Sequence, residues 1–513
     1  MAGRVDKLKK NIFYGTFSNV VIMMLSFVSR TIFIYVLGES ALGVTSLFSN
    51  ILTILSFAEL GIGTAMNYSL YSLVAKNDTE KIKSLMAFYR KAYSVIAMIV
   101  AAMGLALVPF LHIFNGFDEI KNNYAIYFLY LFNTVASYFV SYKYSLSNAE
   151  QKNYIFTNIN LIFNIVCTCT QMVMVLVFKN LLIYCIVGAV VQLIQNITTT
   201  IYMNKLYPFL KDKNVEKISK EDLAPIIKNV KALIVSKIGS ILVNQTDNVI
   251  MAAVVNIVAV GLVSNYLTLT RNVSQFLNIV FNSATAGFGN LIATESKQKQ
   301  YETFKCFRFL AFWSYGFASV ALFVLMTPFV IIWCRNARYA TTFAVVLWLC
   351  INYYFGGHRI CVYNVKVAGG LFEQDKWLAF ATAFVNLVVS IIGAKLWGVA
   401  GIYFGTFMQG ILETVVRPRI IYKHLFGVSS KEYFKEGAGY LVSVVIAGAV
   451  CYAISRMTMS TVTVKAFIFN MVSVTVITNA WFYALYRKRP EFDYLKKVVL
   501  GRLGKFKIFS KFA

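Results

Sequence analysis

The residues best placed to do chemistry lie in one apolar stretch, residues 258–290. Ser264, Thr268, Arg271, Gln275, Asn278, Asn282, Thr285 and Gly289 recur there at alternating intervals of 4 and 3. A helix turns once every 3.6 residues, so this spacing places all of them on one face. Arg271 falls ~20 Å below the end of the stretch that the charge pattern puts outside, at 1.5 Å per residue. A guanidinium at that depth faces other helices, water or an anion, because hydrocarbon penalises it by about 2.5–3.5 kcal/mol. A second polar stripe, Lys237, Ser240, Asn244 and Asp247, precedes it. Asn19, Ser26 and Arg30 form a third near the N-terminus, and Ser46, Asn50 and Thr53 a weaker fourth.

Cations inside a membrane usually face water or an anion. Arg30, Lys237, Arg271 and Arg359, with the neutral groups Asn244, Gln275 and Asn278, are therefore the candidate binding residues. A competing reading pairs Asp247 with Lys237 or Arg271 as a structural ion pair. Arg30, nearer the outer end, can also snorkel. Glu59 is a candidate coupling carboxylate for H⁺ or Na⁺; pairing with a nearby basic loop competes with that role. His358, next to Arg359, reads as a packing histidine, and Tyr124, Tyr127 and Tyr130 as interface anchors or sugar-stacking rings.

The elements that hold these residues follow from composition. The 513 residues are 58% hydrophobic and 14% charged, with mean hydropathy +0.65. A soluble domain needs about 25% charged residues to cover its surface. Bilayer solvent removes that need but requires every backbone group to be satisfied internally, hence helices. Fourteen runs are long enough to span: 12–37, 42–68, 92–112, 124–146, 155–178, 181–203, 226–252, 258–290, 306–333, 341–365, 377–396, 400–422, 437–456 and 463–486. The run 258–290 reads as one tilted helix or a bent one. The first run is too long for a signal peptide and lacks a small-residue cleavage site.

Net charge is +27. With the N-terminus inside, 38 of the 49 Lys+Arg fall in or beside inner segments, 7 outer ones, and four remain within spans. This bias places both termini in the cytoplasm and assigns the basic residues to topology and anionic lipid. It argues against nucleic acid as a partner. The eight cysteines form no C-x-x-C, so neither a metal site nor a disulfide framework is expected. P-loop, H-E-x-x-H and G-x-S-x-G motifs are absent, and the outer loops are short, which argues against an enzyme.

The two halves repeat at an offset of 216 to 223 residues. Leu42-Gly43-Val44-Thr45-Ser46 answers Val260-Gly261-Leu262-Val263-Ser264, Pro109-Phe110 answers Pro328-Phe329, and Gly188 and Gln192 answer Gly405 and Gln409. Six spans per copy make the repeats parallel, with a binding region expected between them. The expected organisation is an all-α polytopic membrane protein of about 14 transmembrane helices. An N-terminal six-helix lobe (1–204) is joined by a cytoplasmic linker (205–225) to a pseudo-symmetric lobe (226–424); two further spans and a basic tail follow (425–513). The repeat lays Arg30 beside Asp247, and these two are the candidate gate pair on the outer side.

Arg30, Leu37-Gly38-Glu39, Leu42-Gly43 and Glu59-Leu60-Gly61-Ile62 together resemble the bacterial polysaccharide transporter, or oligosaccharide flippase, family. Gln245-Thr246-Asp247-Asn248 and Val260-Gly261-Leu262-Val263-Ser264-Asn265-Tyr266 look like that family's junction between spans 7 and 8. The family belongs to the multidrug/oligosaccharidyl-lipid/polysaccharide exporter superfamily. The resemblance implies alternating access that carries a polyprenyl-pyrophosphate-linked oligosaccharide across the bacterial cytoplasmic membrane for surface polysaccharide assembly. It implies membrane lipids and polysaccharide polymerase machinery as partners, and no cofactor beyond a coupling ion. Lipid II or a teichoic-acid precursor is an alternative cargo. A drug/cation antiporter would want carboxylates in its cavity, and a membrane-embedded glycosyl polymerase a sizeable outer loop.

Overall fold

The computed structural model describes residues 2–503 except 60–62, 64–65, 67–68, 71–72, 75, 151, 213–214, 216–217, 220–222, 225–226, 228–245 and 372. Among the described residues the chain is helical and has no strand. It divides into two compact units, residues 1–261 and 262–513.

The first unit contains α1 (Ala2–Leu55), α2 (Thr79–Leu107), α3 (Asn123–Ala149), α4 (Asn153–Phe178) and α5 (Leu181–Leu206). Helix α1 is two limbs joined at Gly38, whose φ of 79° and ψ of −174° interrupt the helix. A side chain there would be strained, and glycine is not. This break separates the first apolar run from the second. Asn180 caps α5 by accepting from the Leu182 amide at 2.8 Å.

Helix α6 (Ile257–Thr294) crosses from one unit to the other and is preceded by a π-helical turn at Met251–Val255. It is one continuous helix of 38 residues that contains the whole run 258–290. The second unit continues with α7 (Lys297–Cys334), α8 (Phe343–Ala368), α9 (Leu378–Trp397), α10 (Val399–Ile421), α11 (Lys431–Thr458), α12 (Val464–Tyr486) and α13 (Pro490–Leu503).

Ten helical segments are long and apolar enough to cross a membrane. One of them, Phe17–Leu55, covers both limbs of α1. Helices α3 and α8, with 27 and 26 residues, have crossing length but a richer polar content. Thr246–Val255 is the described end of the seventh run. These segments together give a layout of about fourteen crossings in a multi-pass membrane protein.

Side-chain distribution agrees with lipid as solvent. On α9, Thr382, Asn386 and Ser390 are at most 1% exposed, whereas Phe384 is 68% exposed. Polar groups are inside and apolar groups outside, the reverse of a helix in water. Ser390 donates to the Ile402 carbonyl at 3.1 Å, and a Cβ on Gly401 would run into the Gly393 backbone. Small residues thus let α9 and α10 approach closely enough for dispersion and hydrogen bonding to hold them without a hydrophobic drive.

The two C-terminal spans pack on α7. Phe312 stacks on Tyr440 with ring centres 4.1 Å apart, and Phe309, Phe482 and Tyr486 complete the cluster. Arg308, only 2% exposed, pairs with Glu436 at 3.0 Å, and its guanidinium lies 3.8 Å from the Tyr433 ring centre. Arg489, just past the C-terminal end of α12, reaches Glu436 at 3.2 Å.

Candidate functional site

Arg271 is exposed on α6, fourteen residues from its Ile257 start, a distance of ~21 Å along the axis. Among the described residues it has no ion pair and no hydrogen bond. Gln275, one turn further on, is also exposed. The lower part of the stripe is engaged by neighbouring helices. The Tyr315 hydroxyl of α7 donates to Asn278 Oδ1 at 2.6 Å. Asn364 of α8 donates to the Phe281 carbonyl at 2.9 Å and to Asn282 Oδ1 at 3.3 Å. The stripe therefore divides into an open upper half around Arg271 and a lower half that fixes α6 against α7 and α8.

Arg359 is in a different setting. Its Nε lies 3.4 Å from Glu413 Oε2 on α10. Glu413 Oε1 lies 3.1 Å from Arg417 Nη1, Arg417 Nε 3.1 Å from Asp375, and Asp375 2.7 Å from Lys366 Nζ. Charges alternate along the C-terminal halves of α8 and α10 and the turn at Asp375, three cations with two carboxylates. The Arg359 guanidinium lies against the α10 backbone at Gly410, where any Cβ would clash with Nη1. Arg359 is thus a paired cation within the second unit. His358 is buried, edge-on to Tyr354 at 4.8 Å, as a packing histidine would be.

In the first unit, Arg30 and Asp247 are half-buried, and each has an interaction partner. Glu59 Oε1 accepts a hydrogen bond from the buried Tyr93 hydroxyl at 2.9 Å. Asn19 and Ser26 are exposed on α1. Lys237 and Asn244 lie outside the described residues.

The ends of the first unit's helices are joined by a backbone clasp. The Asn115 amide donates to the Ala252 carbonyl at 3.1 Å, and the Ile257 amide donates to the Asn115 carbonyl at 3.0 Å. Asn115 Nδ2 adds bonds to the Ala253 and Val255 carbonyls at 3.0 and 3.4 Å. These bonds satisfy groups that the π-helical turn and the start of α6 would leave open.

Several paired residues escaped the sequence reading. Lys366, Arg308 and Arg417 counted there among the basic residues beside inner loops, yet all three are mostly buried and engaged. One signal was available. Glu413 is a carboxylate inside the run 400–422, and Arg417 follows it by four residues on the same face.

Comparison with known proteins sets this arrangement in a family. No curated protein sequence matches the chain. Among solved structures, the fold is similar to a lipid II flippase MurJ in an inward closed conformation, with TM-score 0.64, 13% identity, and coverage of 93% of this chain and 99% of that one. It is similar to an inward-facing multidrug resistance MATE family transporter of the MOP superfamily, with TM-score 0.55, 12% identity, and coverage of 77% and 92%. It is also similar to the eukaryotic MATE transporter AtDTX14, with TM-score 0.53, 12% identity, and coverage of 81% and 96%. At these identities the likeness is one of fold. The family model described as polysaccharide biosynthesis protein matches residues 8–286, more than half of the chain. The protein therefore belongs to the polysaccharide biosynthesis protein family and has the fold of MOP-superfamily transporters.

Proposed function

We propose that this protein carries an anionic, polyprenyl-pyrophosphate-linked oligosaccharide across the bacterial cytoplasmic membrane by alternating access, for surface polysaccharide assembly. The observation that carries the reading is Arg271, an exposed guanidinium at mid-depth of a 38-residue helix, with no ion pair or hydrogen bond among the described residues. An unpaired cation there is costly unless water or an anion meets it. A pyrophosphate passing the midplane loses hydration and needs a fixed cation, and a guanidinium offers it paired donors. The polysaccharide-biosynthesis family and the fold shared with a lipid II flippase support a lipid-linked saccharide as cargo.

In this reading Arg271, Arg30 and Lys237 contact the pyrophosphate, with Gln275, Asn278 and Asn244 beside them. Asn278 also serves Tyr315, and Arg359 reaches an anion by releasing Glu413. The lipid tail stays in the bilayer. Glu59, which accepts a hydrogen bond from Tyr93, is the coupling carboxylate. The protein acts as a transporter and catalyses no covalent step. Both termini face the cytoplasm, where polysaccharide polymerase machinery is the expected partner.

The test is translocation of a fluorescent polyprenyl-pyrophosphate oligosaccharide in liposomes. Arg271→Ala is expected to lose about 10- to 100-fold in rate, the factor for one charge-assisted hydrogen bond of about 1.5–3 kcal/mol. Arg271→Lys should retain part of it. Unchanged rates for Arg271→Ala and Lys237→Ala would remove the proposed site. Uptake of a cationic drug in exchange for Na⁺ or H⁺, with no oligosaccharide movement, would establish the antiporter instead.

A further inference from the structure

Helices α1 and α4 of the first unit are exposed on two opposite faces. On the first limb of α1 the exposed apolar residues Phe17, Met24, Val28 and Tyr35 share one face. Asn19 and Ser26 are exposed too, each two residues from that set and so about 160° around the helix from it. On α4 the exposed apolar face is Ile162, Val166 and Val173, and exposed Asn160 stands opposite it by the same two-residue step. The second limb of α1 goes further. Between residues 41 and 55 only Ser49 and Thr53 are exposed, one turn apart, and no apolar residue is.

Lipid covers the apolar faces but not the polar ones, because hydrocarbon offers no hydrogen bonds. The polar faces lie at hydrocarbon depth. Ser26 is ~18 Å from the break at Gly38. Helix α4 is ~39 Å long against a core of ~30 Å, and Asn160 is ~10 Å in from its start at Asn153. These faces also keep open hydrogen-bonding groups. Asn160 Oδ1 accepts from Gln195 Nε2 of α5 at 2.7 Å, which leaves Asn160 Nδ2 and Gln195 Oε1 with no partner among the described residues. Asn160 is exposed and Gln195 half-buried, so both groups remain within reach. Asn19 makes no hydrogen bond among the described residues, and Ser26 and Thr53 donate only to their own helix, at 2.8 and 2.7 Å.

We infer that this neutral polar wall of the first unit, Asn19, Ser26, Ser49, Thr53, Asn160 and Gln195, binds the saccharide of the cargo. The inference rests on the lipid-linked oligosaccharide reading and deepens it, since that reading gives the pyrophosphate its cations and leaves the sugar without a seat. No residue of the wall is charged, so it does not offset the lost hydration of a phosphate, a metal ion or a cationic drug. Amides and hydroxyls both donate and accept, as sugar hydroxyls do. The Asn160–Gln195 pair presents an N–H donor beside a C=O acceptor, a pattern that two adjacent sugar hydroxyls or one acetamido group answers.

The test is translocation of two probes by the full-length protein in liposomes. One probe is the lipid-linked oligosaccharide extracted from the cells that make the protein, and the other is the same lipid trimmed to its first sugar. The quantity read is the ratio of the two rates. Thr53→Val and Asn160→Leu/Gln195→Met should each lower that ratio about tenfold, the factor for one or two neutral hydrogen bonds. Arg271→Ala should slow both probes and leave the ratio in place. Site-resolved labelling with a charged maleimide serves where a variant folds poorly. Asn160→Cys and Ser26→Cys should react in liposomes and be protected by the oligosaccharide lipid, whereas Ile162→Cys and Val28→Cys should not react. An unchanged ratio in both variants, or reaction at Ile162→Cys and not at Asn160→Cys, would overturn the inference and leave the Arg271 reading standing. Movement of neither probe by wild type would overturn that reading, and this one with it.

Discussion

Gly43 and Gly261, equivalent positions of the two sequence repeats, meet in the first unit. A Cβ on Gly261 would lie 2.8 Å from the Gly43 amide nitrogen, and a Cβ on Gly43 would run into the Ile257 carbonyl. Neither position has room for a side chain. The start of α6 is seated directly on the start of the second limb of α1, and the Asn115 clasp binds the same segment from the side.

Gly43→Ala should destabilise the folded protein by about 1–3 kcal/mol, because the clash is with backbone that cannot rotate away. Gly261→Ala should do the same. Thermal unfolding in detergent measures both, and a melting temperature equal to wild type for either variant would mean that the two helix starts separate freely. Asn115→Ala removes two side-chain bonds but leaves two backbone bonds, so its loss should be smaller.

Glu413 stands between Arg359 and Arg417. Glu413→Gln leaves two mostly buried cations side by side, and breaking a buried pair costs about 3–5 kcal/mol. Arg359→Met added to Glu413→Gln should recover part of this, since an apolar chain of similar volume carries no desolvation cost. A double-mutant cycle on thermal stability reads the coupling, and additive effects would show that the two residues are energetically separate.

Glu436 holds Arg308 and Arg489 at once. Glu436→Gln should loosen α11 and α12 from α7 by about 3 kcal/mol or more, because Arg308 is then buried without its counter-charge. Limited proteolysis between α10 and α11 should accelerate, with membrane insertion retained. Unaltered cleavage would assign the docking of these two spans to the aromatic cluster of Phe312, Tyr440 and Phe482 alone.

Arg30 and Asp247 occupy opposed positions in the repeats, and we propose that they close the outer side. Arg30→Asp and Asp247→Arg should each lower transport at least tenfold, and the double exchange should restore it toward wild type. Failure of the double exchange to restore transport counts against the pair.

The apolar runs, the break near Gly38 and the spacing of polar residues along α6 were legible before any coordinates, because each is a local property. A run of apolar residues must become a helix in hydrocarbon wherever it sits, and the spacing of polar residues along it sets a face. Partnership was not legible in the same way. Arg271 and Arg359 look alike as cations inside spans, yet among the described residues the first is exposed with no ion pair and the second is held by Glu413. Arg308, Lys366 and Arg417 looked like lipid-facing anchors and are buried ion pairs. Which charge meets which depends on the rotation and height of each helix against its neighbours. Close packing sets those two quantities, at points such as Gly410 against Arg359 and Gly43 against Ile257. Hydropathy and periodicity along one chain segment carry no record of them.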